Sequence, residues 1–195
     1  MGCQKEAADR PTEPKVSAVK TAPEFVEIAQ EAGIDFRHIN GASGRYYYVE
    51  TYGSGAAFLD YDNDGDQDLY AVNGAPLPGF ATHGVPTNVL YRNRGDGVFA
   101  DVTAYTGTDD SGYGMGSCAG DIDNDGYVDL YVTNFGPNVL YYNRGDGTFA
   151  DQTAAAGVGD SRLSTSAAFA DIDNDGDLDL YVANNARVDL GRDEG

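Results

Sequence analysis

The run Asp171-Ile172-Asp173-Asn174-Asp175-Gly176-Asp177-Leu178-Asp179-Leu180 has two sisters in the chain, Asp60 to Leu69 and Asp121 to Leu130. In each, acids stand at relative positions 1, 3, 5 and 9 and glycine at 6. Alternate residues of a tight loop can turn their carboxylates inward while glycine takes the sharp bend, an arrangement suited to one hard cation. Ca²⁺ is the natural occupant, because it takes six to eight oxygens at roughly 2.3–2.6 Å. The candidate ligands are Asp60, Asp62, Asp64, Asp66 and Asp68 in the first loop, and Asp121, Asp123, Asp125, Tyr127 and Asp129 in the second. In the third they are Asp171, Asp173, Asp175, Asp177 and Asp179. Position 7 (Asp66, Tyr127, Asp177) is expected to offer its backbone carbonyl. A merely solvated acidic turn has no need of the same spacing three times, so about three bound Ca²⁺ are expected, one per loop.

An EF-hand also uses positions 1, 3, 5, 7 and 9, but it closes with a bidentate glutamate at 12 and leads into a helix. Position 12 here is Ala71, Val132 or Val182. Each loop runs on into Leu-Tyr-Ala-Val, Leu-Tyr-Val-Thr or Leu-Tyr-Val-Ala, short apolar runs of strand character. The loops therefore join strands.

The elements that hold these loops recur with them. Phe25 to Gly33 matches Phe99 to Gly107 and Phe149 to Gly157, each copy preceding an acidic loop, and Asn88-Val-Leu-Tyr-Arg-Asn-Arg-Gly-Asp-Gly97 matches Asn138-Val-Leu-Tyr-Tyr-Asn-Arg-Gly-Asp-Gly147. The period is about 50 residues. Each unit has four strand candidates: the small-residue run before the loop, the Asp-Leu-Tyr run after it, the Asn-Val-Leu-Tyr run and the Phe-x-Asp run. Four short strands per repeat, with Gly/Asn/Asp turns, predict an all-β chain, a partial β-propeller of four-stranded antiparallel blades with about three blades present. The runs Gly55-Ala56-Ala57, Ser117-Cys118-Ala119 and Ala167-Ala168 suit innermost strands, and Cys118 reads as a small buried filler rather than a nucleophile.

The pattern Asp-x-Asp-Asn-Asp-Gly-x-x-Asp-Leu-Tyr followed by Asn-x-Leu-Tyr-x-Asn-x-Gly-Asp-Gly-x-Phe-x-Asp-x-Thr resembles the FG-GAP/VCBS repeat of integrin α-like propellers. The opening Gly33-Ile-Asp-Phe-Arg-His38 with Gly55-Ala-Ala-Phe-Leu-Asp60 is similar to bacterial secreted proteins of the ASPIC/UnbV-associated group. The resemblance covers about residues 25 to 184 and implies a calcium-stabilised propeller, usually of seven blades, that binds ligands or partners. The third repeat stops after Asn184 without its last two strand candidates, so the chain is expected to be the N-terminal part of a longer propeller, whose remaining blades are its first partners.

Charge supports the metal reading. The chain carries 32 acidic against 12 basic residues, a net charge of −20. Fourteen of those acids lie in the three loops. Nucleic acid is excluded as a partner by such a balance, and clustered carboxylates without a cation would repel one another, so folding should depend on the metal. Two cysteines give no disulfide framework, and no apolar run approaches the ~20 residues that span a bilayer.

Residues 1–22 mix Lys, Glu, Pro and Ala without periodicity and read as a flexible tether, leaving 23–195 for the repeats. Gly2-Cys3 ahead of such a tether resembles the mature end of a bacterial lipoprotein, which would make Cys3 a lipidation site and a membrane anchor. A secreted, periplasmic or cell-surface location is expected.

The first repeat is longer than its sisters. From Phe to the first loop Asp it exceeds them by 13 residues (25 to 60, against 99 to 121 and 149 to 171), and from that Asp to Asn-Val-Leu-Tyr by 11 (60 to 88, against 121 to 138). In an antiparallel blade both insertions emerge opposite the acidic loops. They carry His38, Arg45, Tyr47, Glu50, Phe80 and His83, expected to form a surface that recognises a protein or carbohydrate. Arg94-Gly95-Asp96 and Arg144-Gly145-Asp146 spell an adhesive tripeptide but sit where hairpin turns are needed. No nucleophile–base pair or His-rich metal motif stands out, so a binding or scaffold module is expected, with part of a propeller enzyme (lyase, dehydratase or hydrolase) as the alternative.

Overall fold

A computed structural model describes residues 25–81 and 83–185. Among these residues, the alternation of aromatic and β-branched side chains with Gly/Asn/Asp turns produces ten short strands in three antiparallel sheets. The first sheet contains β1 (Ala56–Leu59), β2 (Asp68–Ala71), β3 (Val89–Asn93) and β4 (Phe99–Asp101) in sequential order. The second repeats it with β5 (Tyr113–Gly120), β6 (Asp129–Phe135), β7 (Val139–Asn143) and β8 (Phe149–Asp151). The third is a pair, β9 (Ser164–Ala170) and β10 (Asp179–Asn184). This is the expected all-β, propeller-like architecture. The tether and Cys3 lie outside the described residues.

The second sheet lies between the other two, with β5 against β1 on one side and β9 on the other. Small residues permit the approach: a Cβ on Gly55 would stand 2.9 Å from the Gly116 Cα, and one on Gly114 only 2.3 Å from a Val72 methyl. Tyr61, Tyr70, Val72, Leu90, Leu130, Val132, Tyr141 and Phe149 fill the core between the first and second sheets. The third sheet docks through Phe169, whose ring meets Tyr131 edge-on at 6.5 Å. Tyr70, Tyr131 and Tyr181 occupy the same repeat position, yet the first two are fully buried and Tyr181 is 65% exposed. Each of the first two has a following sheet over it, and Tyr181 has none among the described residues.

Two findings differ from expectation. After β4 and β8 the chain turns into single helical turns, α1 (Thr103–Thr106) and α2 (Thr153–Ala156), each ended by a left-handed glycine, Gly107 or Gly157. The Asp-x-Thr sequence causes the turn. Asp101 Oδ1 accepts from the Thr103 amide at 2.9 Å and hydroxyl at 2.6 Å, while Thr103 Oγ1 accepts the Leu90 amide at 3.0 Å. Second, the Phe25 to Gly33 segment matches Phe99 to Gly107 and Phe149 to Gly157 in sequence, but it forms no strand where those copies have β4 and β8. That segment instead makes a turn (Ala32 N to Ile28 O, 2.8 Å) pinned to β4 by the Phe99 amide on Ala32 O at 2.7 Å.

Candidate metal centre

Each acidic loop joins the first two strands of its sheet: 60–68 between β1 and β2, 121–129 between β5 and β6, 171–179 between β9 and β10. The three loops share one turn. The position-1 carboxylate accepts the amides of positions 5 and 6, at 3.1 and 2.9 Å for Asp60, 3.0 and 2.9 Å for Asp121, and 3.1 Å each for Asp171. Position 4 is asparagine in the left-handed region (Asn63, Asn124 and Asn174, φ 58°, 60° and 60°), and the glycine after position 5 has φ 91°, 88° or 96°.

Oxygens of positions 1, 3 and 9 converge. One from each of Asp60, Asp62 and Asp68 lies within 4.8 Å of the others, and the same holds for Asp121, Asp123 and Asp129 and for Asp171, Asp173 and Asp179. The position-5 carboxylates stand outside this set. Asp64, Asp125 and Asp175 use Oδ1 to accept the position-7 amide at 3.0, 2.8 and 3.0 Å. Asp66 and Asp177 present no carboxylate to the cluster, in keeping with a backbone role at position 7.

Position 9 ties the loop to the blade. Asp68 Oδ2 accepts the Tyr61 amide (3.0 Å) and its Oδ1 the Asn93 amide (2.8 Å); Asp129 does the same with Ile122 (3.0 Å) and Asn143 (2.7 Å). Asp179 holds the Ile172 amide at 3.0 Å. Burial pushes Asp68 and Asp129 up to about 6 despite those bonds. A charge held in so dry a place favours an opposing cation. Asp62 gives a sharper test of fit: its Oδ1 is buried and has no hydrogen-bond partner, and desolvation raises its carboxyl above the usual range. An unpartnered carboxylate oxygen beside two convergent carboxylates is what a cation ligand presents before loading. The residues therefore fit the ion.

Several participants escape a reading of the loops alone. Arg92, on β3, pairs with Asp62 Oδ2 at 2.8 Å and Asp64 Oδ2 at 2.9 Å. Tyr142, one repeat later on β7, donates to Asp123 Oδ2 at 2.8 Å and reaches Asp125 Oδ2 at 3.4 Å. Their 50-residue offset was the available signal. Neighbouring loops are also joined: Asn63 Nδ2 donates to Gly126 O (2.8 Å), and Asn124 Nδ2 to Gly176 O (3.3 Å) and Asp177 Oδ1 (3.0 Å). Buried Asn143 donates to Tyr61 O at 2.8 Å, sewing the second blade to the first loop.

The two insertions of the first repeat meet each other, as the topology requires. Ile39 N donates to Asn73 Oδ1 at 2.8 Å, and Tyr47 OH to Pro78 O at 3.3 Å. One expected recognition residue must be corrected. Tyr47 is 3% exposed and packs with Val49, Leu77, Tyr113, Met115 and Leu163, so it belongs to a second core built between the insertions, β5 and the residue ahead of β9. Tyr113 OH, donating to Asn40 O at 2.7 Å, fastens the insertions to β5. Glu50 is likewise structural, accepting the Tyr47 amide at 3.1 Å. His38, Arg45 and His83 are exposed and Phe80 half-buried.

His38 Nε2 lies 2.8 Å from Ser54 Oγ, a distance that invites a catalytic reading. Ser54 already spends its proton on Gly114 O at 2.9 Å, so the imidazole must donate to the serine oxygen. A base that donates cannot activate that hydroxyl. Cys118, opposite Tyr131 across β5 and β6, has its thiol pushed up to about 11 by burial, which leaves it protonated and inert near neutrality.

Blades of four antiparallel strands with an acidic loop between the first two define a class of β-repeat protein. The chain belongs to the FG-GAP-like repeat family, whose model matches residues 60–132 and 121–182. It is also similar to cartilage acidic protein 1 of Xenopus tropicalis, at 37% identity over 65 residues, which is 33% of this chain and 10% of that protein.

Proposed function

We propose that the chain is a calcium-stabilised, non-catalytic recognition or scaffold module that works outside the cytoplasm. The observation that carries this is the threefold convergence of position-1, -3 and -9 carboxylates, with Asp62 Oδ1 buried and unpartnered among them. Oxygen-only donors in a flexible loop suit Ca²⁺ better than a transition metal. Loops that are largely exposed, as in the third repeat, suit a calcium-rich exterior. Lipidation of Cys3 and membership of the ASPIC/UnbV-associated group belong to this same reading.

The ligand face is the insertion cap. With Tyr47 and Glu50 committed to the fold, the side chains left to meet a protein or carbohydrate partner are His38, Arg45, Phe80 and His83, joined by Tyr46, which is 89% exposed. Further blades are expected beside Phe58 and Tyr181, exposed by 66% and 65% on the outer sheets.

Thermal melts in millimolar CaCl₂ and in EDTA, with elemental analysis of the dialysed protein, test the calcium reading. Calcium at 100 times its Kd stabilises by roughly 2.7 kcal/mol per independent site, so the melting temperature should rise markedly. Superimposable melts and a protein free of calcium would sink it.

A further inference from the structure

We propose that the residue following the strand tyrosine on β3 and β7 is the positioning residue of the acidic loop in its own blade, and that Arg92 sets a lower cation affinity in the first loop than a tyrosine there would give. This rests on the loops being calcium sites.

Arg92 and Tyr142 hold equivalent register positions, opposite Ala100 and Ala150. Both grip the same pair of atoms, Oδ2 of loop positions 3 and 5: Arg92 at 2.8 and 2.9 Å, Tyr142 at 2.8 and 3.4 Å. The grip fixes the rotation of the position-3 carboxylate. In the first loop it leaves Asp62 Oδ1 as the buried, unpartnered oxygen. The two blades thus use one geometry with different charge. A cation entering the first loop faces a guanidinium across one carboxylate, and a cation entering the second faces a neutral phenol. Repulsion at that range weakens binding. Without calcium the balance reverses, since Arg92 supplies part of the positive charge the loop lacks.

Comparing the two loops directly would mislead, because Tyr127 replaces Asp66 and the first loop with Arg92 carries the same net charge of −4 as the second. Substitution within a loop isolates the effect. The position-6 amides of Gly65 and Gly126 bond to the position-1 carboxylates, so their ¹H–¹⁵N signals in the whole chain report each loop during a Ca²⁺ titration. Arg92→Tyr should lower the Gly65 midpoint by on the order of tenfold and shift the Gly126 midpoint, which feels the first loop only through the Asn63 link, far less. Tyr142→Arg should raise the Gly126 midpoint, and Arg92→Lys, which keeps the charge but loses the fork on two carboxylates, should shift the Gly65 midpoint much less than Arg92→Tyr. In EDTA, Arg92→Tyr should melt earlier than wild type. A Gly65 midpoint unchanged or raised in Arg92→Tyr, or lowered as far in Arg92→Lys, overturns the proposal while leaving the calcium reading intact. Glycine signals that ignore Ca²⁺ in the wild-type chain overturn both.

Discussion

Asp129 and Asp123 face the same point but have different work to do. Asp129 is buried and occupied through both oxygens by the amides of Ile122 and Asn143, whereas Asp123 is exposed and bonded to Tyr142 OH. Asp129→Ala strands two main-chain donors and should cost about 2 kcal/mol or more whether or not calcium is present. Asp123→Ala should melt close to wild type in EDTA and fall behind only in calcium. Asp146→Ala, which disturbs a turn around Thr148, should cost little in either buffer. Melts of the three variants with and without calcium check this, and equal losses for Asp123→Ala and Asp146→Ala in calcium would contradict the assigned ligand. Spacing made the convergence of the carboxylates at positions 1, 3 and 9 legible. It could not show that position 5 turns its Oδ1 to a backbone amide, because alternation gives the side a residue faces and not which hydrogen bond its oxygens make.

At the scale of elements, the sheets were readable because each strand announces itself three or two times at a constant offset, and repetition averages out the ambiguity of any one short run. The insertions occur once and offered no such check. Their aromatic residues looked like a binding face, but Tyr47 lies inward against Leu77 and Met115, since a long insertion laid over β5 must bury something to stay ordered there. Arg92 was harder to read for another reason: its offset pairs it with Tyr142, but it reaches the loop only after the β2–β3 register brings Tyr91 opposite Leu69. Two single substitutions separate packing from recognition. Tyr47→Ala should destabilise by about 3 kcal/mol or more, as large aromatic truncations in cores do. His83→Ala should leave the melt within about 0.5 kcal/mol of wild type, as surface changes usually do. Chemical denaturation of the pair measures both; a Tyr47→Ala curve that overlays wild type would return that ring to the surface.

Across the described residues, burial is deepest in the central sheet and declines outward. β6 is buried from Asp129 to Asn134, while β10 has no buried residue, although the two share the Asp-Leu-Tyr-Val run. Position in the array, not sequence, decides how deeply a strand is covered. The asparagine links between loops give this array a direction. Asn63 leans on the glycine carbonyl of the second loop and Asn124 on that of the third, so each loop's bend is braced by, and braces, the next. Filling one site should then stiffen its neighbour's backbone before any ion reaches it, and the chain should load calcium as a sequence of linked events rather than as independent sites. The signature is a titration steeper than a simple hyperbola, with a Hill slope above 1, that relaxes toward 1 in Asn124→Gly, a change that keeps the left-handed backbone and deletes the amide. Such a molecule would answer calcium as a threshold, firm above it and loose below.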